Sequence, residues 1–299
     1  MSNLFGAVWD PKATDDFVAT LRRPIFGVSA HAIRDSGKGK VALLHKAVEQ
    51  VTGSFPVYTQ AIGDCVSFGF ALAIDVLKAV EIARGEREQW VVNTATEPIY
   101  ALSRVEVGRG QLGSGDGSVG AWAAKAVSEY GTLLRQKYGN YSLTSYSGAK
   151  ARDWGRPGKG LPDTLEPIAR EHPVRTTSLV TSYEEARDAI FNGYPVPVCS
   201  NQGFHDQRDS EGFAKPSGSW AHCMCFVAVD DEHRRPGLLC CNSWGAWNSG
   251  PKRHGQPDGS FWVDADVADA MLRQWRDSYS LSGFEGYPSR PFSFEDVWK

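Results

Sequence analysis

Residues 65–84 read CVSFGFALAIDVLKAVEIAR and are apolar on nearly every helical face. A helix that is hydrophobic all round is a buried one, so this stretch predicts a central helix. Gly85 is a candidate to end it, because glycine closes many helices in the left-handed conformation. Gly63 and Asp64 supply a tight turn and a predicted N-cap just before it. Cys65 is then placed at the helix N-terminus, where the dipole and free amides favour negative charge.

A cysteine at a helix N-terminus can be an activated nucleophile. Lowering a thiol pKa from about 8.5 to about 4 needs roughly 6 kcal/mol of preferential stabilisation of the thiolate. An exposed ion pair supplies only about 0–1 kcal/mol. A helix N-terminus and an adjacent imidazolium in a partly desolvated cleft can supply the rest. Cys65 meets the first of these two conditions, and the same amides can bind an oxyanion.

A second informative stretch is an apolar hairpin. His222–Val229 is a continuous apolar run, residues 230–237 (DDEHRRPG) form a polar turn, and residues 238–242 (LLCCN) form a second short strand. The strands of a hairpin run antiparallel. His222, which begins the first strand, and Asn242, which ends the second, are therefore predicted at the same end of the ladder.

Three stretches together resemble the papain and cathepsin family of cysteine peptidases. They are residues 60–68 (QAIGDCVSF), residues 220–230 (WAHCMCFVAVD) and residues 242–247 (NSWGAW). Their order and spacing agree with the family across roughly residues 50–270. The resemblance implies an α+β fold with two lobes. One lobe is helical and carries Cys65, the other is antiparallel and β-barrel-like and carries His222 and Asn242, and the active-site cleft lies between them.

The resemblance also implies roles for single residues. Cys65 attacks the scissile carbonyl as a thiolate, and His222 holds the proton and later gives it to the leaving amine. Asn242 accepts a hydrogen bond from the other imidazole nitrogen, and Trp244 shields that bond from water. Gln60 donates its side-chain amide to the oxyanion.

The same comparison assigns the cleft walls and exposes two departures. Gly117 and Ser118 resemble the glycine-rich wall that contacts the substrate backbone, and Ala221 is placed in the cleft beside His222. Gln60 lies one residue closer to Cys65 than is usual, so the oxyanion turn is expected to be rebuilt. The first 50 residues lack a long helical pattern, so we expect no obvious inhibitory pro-segment.

The composition is ordinary for a soluble enzyme: 299 residues, 41% hydrophobic and 22% charged, with a formal net charge of −3. This length suits two lobes or one large domain. The small charge gives no electrostatic reason to expect nucleic acid or anionic membranes as partners. The N-terminus lacks the basic and apolar regions of a secretory signal, and no apolar stretch approaches the ~18 residues of a membrane span. We therefore predict a cytoplasmic location.

The six cysteines stand at positions 65, 199, 223, 225, 240 and 241, five of them in apolar strand-like runs. This pattern predicts buried free thiols in a reducing compartment. A zinc site at His222 and its neighbouring cysteines is an alternative. However, adjacent strand residues such as Cys240 and Cys241 point to opposite faces and cannot converge on one ion. We predict no metal and no cofactor.

Other elements complete the organisation. Helices are predicted at Ser118–Tyr130, with Ser118 as cap, and at 183–192, where Ser182 and Glu185 form a capping-box pattern. Pro195–Ser200 is predicted as a strand, and Tyr138–Pro162 as a long loop at the lobe boundary. The predicted divisions are an N-terminal extension crossing the lobes, a helical lobe, a β lobe and a C-terminal tail: 1–50, 51–145, 146–285 and 286–299.

Each signal also has a structural explanation when taken alone: a buried core thiol, a hydrogen-bonded histidine and an Asn-Ser-Trp-Gly turn. Their occurrence together favours a peptidase acting on peptide or protein substrates through a thioacyl-enzyme. Two alternatives stay open. The same triad serves an amidase, a peptidoglycan peptidase or an acyl-transferring ligase, and a catalytically inactive papain-like protein would bind peptides without cleaving them.

Overall fold

The computed structural model describes residues 4–86 and 89–292. The predicted C-terminal tail is therefore described only as far as Phe292, and residues 293–299 lie outside the described residues, as do residues 1–3 of the predicted N-terminal extension. A 3₁₀ turn lies at His31–Ile33 and a π-helical turn at Ser103–Val107. The helices are α1 (Pro11–Thr20), α2 (Phe26–Ser29), α3 (Leu44–Thr52), α4 (Cys65–Ala83), α5 (Thr96–Leu102), α6 (Gly120–Glu129), α7 (Gly148–Trp154), α8 (Glu166–Ala169), α9 (Tyr183–Phe191) and α10 (Ala265–Trp275). The strands are β1 (Val41–Leu43), β2 (Lys137–Tyr138), β3 (Tyr141–Ser142), β4 (Thr176–Leu179), β5 (Val196–Arg208), β6 (Ala214–Asp230), β7 (Gly237–Cys241), β8 (Ser260–Asp264) and β9 (Asp277–Ser282).

The central helix α4 is the predicted one. Of its 19 residues, only Lys78, Ile82 and Ala83 are not buried. It packs so closely on β6 that a methyl group on Gly69 would lie 2.8 Å from the sulfur of Cys223. Gly85 follows the helix with φ of 72°, the left-handed conformation expected of a residue that closes a helix.

Of the two predicted caps, one is right in position only and one is wrong. Asp64 is the N-cap residue of α4, but its side chain makes no capping hydrogen bond and accepts one from Tyr146. Helix α6 begins at Gly120 rather than at Ser118, and Ser118 does not cap it. The Gly120 amide donates 2.8 Å to a carboxylate oxygen of Asp277, which is distant in sequence.

The sheet is antiparallel and carries the predicted hairpin. Its strand order is β4-β9-β5-β6-β7-β8, with β1 on β6. Cys225 pairs with Cys241, so His222 and Asn242 fall at the same end of the β6–β7 ladder. Both β5 and β6 are longer than predicted, because the hairpin continues through polar, partly exposed residues. In the described part of the chain β4 and β8 do not pair, so the sheet is not a closed barrel.

The helical part has an apolar cluster of its own. Buried residues around α5 and α7, among them Leu102, Leu143 and Trp154, form a cluster separate from the main core. The predicted loop at 138–162 is wrong in part, because it contains β3 and α7. The Ser147 side chain caps α7 by accepting from the Lys150 amide. The mixture of helices and antiparallel strands confirms the predicted α+β class.

Within the described ranges, none of the helices is both long enough and apolar enough to cross a membrane.

Candidate active site

The imidazole of His222 is held by Asn242. Its Nε2 lies 2.8 Å from Oδ1 of Asn242, and the same Oδ1 accepts a 2.7 Å hydrogen bond from the Ser243 amide. Oδ1 can only accept, so the contact requires the proton on Nε2 and leaves Nδ1 of the neutral ring as an acceptor. Nδ1 is buried and has no hydrogen-bond partner among the described residues. The arrangement leaves one buried basic nitrogen free to accept a proton.

Aromatic side chains cover this pair. The rings of Trp244 and His222 lie 4.5 Å apart with a tilt of 32°. Trp220 and Trp247 each pack edge-on against Trp244. His222 is fully buried and Asn242 nearly so. Water is thereby kept from the hydrogen bond between them.

Cys65 stands at the first position of α4 and is fully buried. The backbone amides of Cys223 and Gly6 act to lower the pKa of its thiol. Gly6 also donates a hydrogen bond to the Ala221 carbonyl. The Cys65 sulfur therefore lies close to the main chain of the two neighbours of His222, Ala221 and Cys223. Burial raises the pKa of the Cys65 thiol well above its ordinary value, more than these amides lower it.

In this arrangement burial disfavours the charged form of both the cysteine and the histidine. Burial lowers the pKa of His222 to about 4, and the hydrogen bond to Asn242 only partly opposes that shift. The sequence predicted a thiolate favoured by the helix N-terminus and an imidazolium. The structure differs because the cleft above Cys65 is covered, and desolvation disfavours both charged forms.

The cover is a segment of the chain itself, residues 4–8, which we call the N-terminal arm. It lies extended beside the predicted wall: Ser118 donates to the Gly6 carbonyl at 2.8 Å, and Val8 donates to the Ser118 carbonyl at 2.9 Å. On the opposite side, the amides of Gly6 and Ala7 both donate to the Ala221 carbonyl at 3.1 Å. The arm therefore lies between Ser118 and Ala221 and is held through main-chain groups on both sides.

Solved structures with this architecture are cysteine proteases. Xylellain from Xylella fastidiosa is similar with a TM-score of 0.53 at 17% identity, covering 94% of this chain and 93% of that one. Procathepsin B S9 from Trypanosoma congolense is similar with a TM-score of 0.54 at 12% identity, covering 97% and 87%. Procathepsin L 3 of Tenebrio molitor larval midgut is similar with a TM-score of 0.51 at 13% identity, covering 90% and 79%. The chain has the papain-like fold.

No protein-family model and no curated protein sequence matches the chain. The papain-like fold is thus recognised here through structure and through short motifs.

In this papain-like fold, Gln60 directly precedes the turn that leads to Cys65. Its amide nitrogen donates to the carbonyls of Ile62 at 2.8 Å and Leu4 at 3.3 Å. Its amide oxygen accepts from the Ser243 hydroxyl at 2.5 Å, which fixes the orientation of the amide. Trp244 also donates to the Leu4 carbonyl, at 3.2 Å. The Leu4 carbonyl oxygen of the arm therefore accepts hydrogen bonds from both Gln60 and Trp244.

The turn before the nucleophile is held by residues that sequence reasoning missed. Tyr146 accepts from the Ala61 amide at 3.1 Å and donates to the Asp64 carboxyl at 2.9 Å. Asp116 accepts from the Gly63 amide at 3.2 Å. Burial raises the pKa of Asp64 to about 8, although the Tyr146 hydrogen bond lowers it. Burial thus favours the protonated form of the carboxyl that directly precedes Cys65 in the chain.

All six cysteines are free and buried. Across residues 4–86 and 89–292, no group of three or more His, Cys, Asp or Glu side chains is arranged to hold a metal ion.

Proposed function

We propose that the chain is a cysteine-type peptidase whose cleft is blocked in this structure by its own N-terminal arm. The observation that carries the proposal is the arm itself. An extended backbone forms main-chain hydrogen bonds with Ser118 on one side and with the Ala221 carbonyl on the other, next to Cys65. A groove that holds one peptide backbone in this way is suited to another.

The proposed reaction uses the residues around that groove. The Cys65 thiolate attacks the scissile carbonyl carbon, forming a C–S bond and an oxyanion. The α4 N-terminus and the Gln60 amide stabilise the oxyanion. Collapse breaks the C–N bond, and His222 gives its proton to the leaving amine. Water then attacks the thioester, releasing a carboxylic acid and restoring the thiol.

The arm interacts with the Cys65 sulfur through a hydrogen-bond donor, the Gly6 amide N–H. Its Leu4 carbonyl accepts from Gln60 and Trp244. The arm therefore covers the nucleophile as an uncleaved ligand. Two of the similar solved structures are of procathepsins.

A second candidate function is favoured by one observation: burial raises the pKa of Cys65. A protein whose thiol stays protonated even with an open cleft would bind peptides without cleaving them. The two candidates differ in the thiol pKa once the arm has left. A peptidase will show a thiolate below pH 7, and an inactive scaffold will show an ordinary or raised pKa.

The deciding experiment is covalent labelling by an epoxysuccinyl peptide, followed by mass spectrometry. The intact chain and the Gly6→Ala variant are compared, each with Cys65→Ala and His222→Ala versions. A single adduct on Cys65 that requires His222 and forms faster in Gly6→Ala supports the peptidase. Equal labelling of several cysteines, or no adduct in Gly6→Ala, favours the inactive scaffold.

A further inference from the structure

The predicted wall that faces the arm includes residues 113–117, which belong to no helix or strand. Residues 113–117 read GSGDG and contain no apolar side chain to anchor them. Gly113 and Gly117 both have positive φ values, 61° and 113°. A segment this rich in glycine loses much conformational entropy when it is ordered. Some external group must therefore define its shape.

That group is Arg104, which lies in the π-helical turn at Ser103–Val107 and is only 3% exposed. Its Nη2 donates to the carbonyls of Gly113 at 2.9 Å and Gly115 at 2.6 Å. Its Nη1 donates to the carbonyl of Gly117. One guanidinium therefore reaches every other residue of the loop.

The remaining contacts of Arg104 explain why an arginine is needed. Its Nε donates to the Gly155 carbonyl at 2.9 Å, and its guanidinium stacks 5.0 Å from the Tyr100 ring. Among the described residues, no carboxylate lies within ion-pair distance of it. Burying a cation without such a pair is costly unless its donors are satisfied. The planar guanidinium satisfies its N–H donors by binding carbonyl oxygens. A lysine ammonium has too few donors, and the wrong geometry, to bind the same set.

Two neighbouring side chains extend this support to the residue that binds the arm. The Tyr100 hydroxyl accepts from the Gly117 amide at 3.1 Å, and the Ser118 hydroxyl donates to that of Ser103 at 2.9 Å. Ser118 is the wall residue that pairs with Gly6 and Val8. Displacing the loop would therefore move the hydrogen-bonding edge of the cleft.

We propose that Arg104 is the positioning residue of this wall and that its guanidinium fork sets how tightly the cleft holds an extended backbone. The inference concerns any peptide in the groove, whether the arm or a substrate. It rests on the proposed function only for the substrate. For the arm it can be tested without any hydrolysis.

The test compares Arg104→Lys with Arg208→Lys in the full chain. Arg208 is a matched control, because it is equally buried and also donates mainly to carbonyls, those of Gly250, Pro251 and Ser260. Arg208 lies away from the 113–118 wall. Both variants lose a buried fork, so each reports the general cost of the change.

Hydrogen exchange at the Ser118 and Val8 amides and alkylation of Cys65 by iodoacetamide are the first readouts. Since the wall loses buried hydrogen bonds, we expect both rates to rise about tenfold in Arg104→Lys and to stay unchanged in Arg208→Lys. Tyr100→Phe is a milder second variant and should shift both rates in the same direction by about two- to fivefold. Equal effects in the two lysine variants, or none in Arg104→Lys and Tyr100→Phe, would overturn the proposal.

Kinetic measurements with a substrate separate this inference from the proposed function. In the Gly6→Ala background, Arg104→Lys should raise KM for a peptide ester about tenfold with kcat within about twofold, because the wall acts on binding. A fall in kcat with KM unchanged contradicts a positioning role. Complete absence of turnover in Gly6→Ala would refute the peptidase, while exchange and alkylation would still decide the role of Arg104.

Discussion

A methyl group on the Cα of Gly6 would lie 2.0 Å from the carbonyl oxygen of Gly63. On the other side of the groove, a methyl group on Gly117 would lie 3.0 Å from the Gly6 carbonyl oxygen. The passage over Cys65 is therefore just wide enough for a bare main chain. The arm can occupy it in this position because residue 6 is a glycine.

Replacing Gly6 by alanine should open the cleft. The added methyl group cannot be accommodated by moving a flexible side chain, because the atom that it meets is main chain. Overpacking a tight site costs about 1–3 kcal/mol, which corresponds to roughly 5- to 150-fold more of the open state. We expect the rate of Cys65 alkylation by iodoacetamide to rise by a factor in that range, measured by peptide mapping.

The control for this experiment is Lys12→Ala, which changes an exposed residue in α1 just after the arm. It should leave the alkylation rate unchanged. The buried cysteines 199, 223, 225, 240 and 241 should remain unlabelled in both variants. If Gly6→Ala labels no faster than the intact chain, the arm does not control access to Cys65.

Asn242 should act through the protonation of His222. Its hydrogen bond raises the pKa of His222 against the larger lowering by burial. An active thiolate–imidazolium pair is lost as pH rises through the histidine pKa. In the Gly6→Ala background, Asn242→Asp adds a carboxylate that favours the imidazolium, so the alkaline limb of the pH profile of kcat/KM should move to higher pH.

Asn242→Leu is the counterpart, because it removes the acceptor and adds no charge. We expect it to lower kcat/KM by about 10²-fold, since an unoriented base loses much of its contribution. An unchanged alkaline limb in Asn242→Asp, together with full activity in Asn242→Leu, would show that the 2.8 Å contact has no part in the reaction.

Asp64 should make stability fall as pH rises. Burial raises its folded-state pKa to about 8, whereas an unfolded aspartate titrates near 3.9. The native state thus keeps a proton that the unfolded state has lost between those values. The stabilisation is fully present below about pH 4 and is lost as pH rises to about 8. Urea unfolding at about pH 5 and about pH 9 should show intact protein losing stability relative to Asp64→Asn.

Asp116→Asn provides a control of opposite sign. The hydrogen bond from Arg152 leads the effects that lower the pKa of Asp116. Its contribution is therefore present above the ordinary pKa of an aspartate and is lost only as pH falls below it. Parallel pH profiles for intact protein and Asp64→Asn would mean that Asp64 is ionised in the fold.

Gln60 should affect catalysis more than substrate binding. Removing an oxyanion donor costs about 10²–10³-fold in kcat, so Gln60→Ala in the Gly6→Ala background should lower kcat by about that factor with KM little changed. Ser243→Ala removes only the hydroxyl that orients the amide and should cost less. A fall confined to KM in steady-state kinetics would assign Gln60 to substrate binding instead.

The parts of the structure that could be predicted are those encoded over short stretches. Helix α4 follows from a long, mainly apolar run, and the meeting of His222 with Asn242 follows from the antiparallel geometry of one hairpin. The Asp277 carboxylate at the start of α6 could not be foreseen, because its partner is remote in sequence. Helix α7 was hidden in a Gly- and Ser-rich stretch whose composition is typical of loops.

The arm was missed for a different physical reason. Many of its contacts are hydrogen bonds between main-chain groups, which every residue carries, and they leave almost no mark on residue type. Its side chains contribute too, because the Phe5 ring packs edge-on against His222 and Trp244 and residue 6 has to be a glycine. The role of Arg104 was missed likewise, since carbonyl acceptors on a glycine-rich loop have no signature in the sequence.

Because the arm is covalently joined to the domain that it covers, dilution does not remove it. A tethered ligand acts at an effective concentration on the order of millimolar, whatever the protein concentration. A peptide present at about 1 μM must therefore bind the groove roughly a thousand times more tightly than the arm does to occupy it half of the time. Peptides that bind weakly will not displace the arm in the intact chain. The affinity that a peptide needs does not depend on the protein concentration.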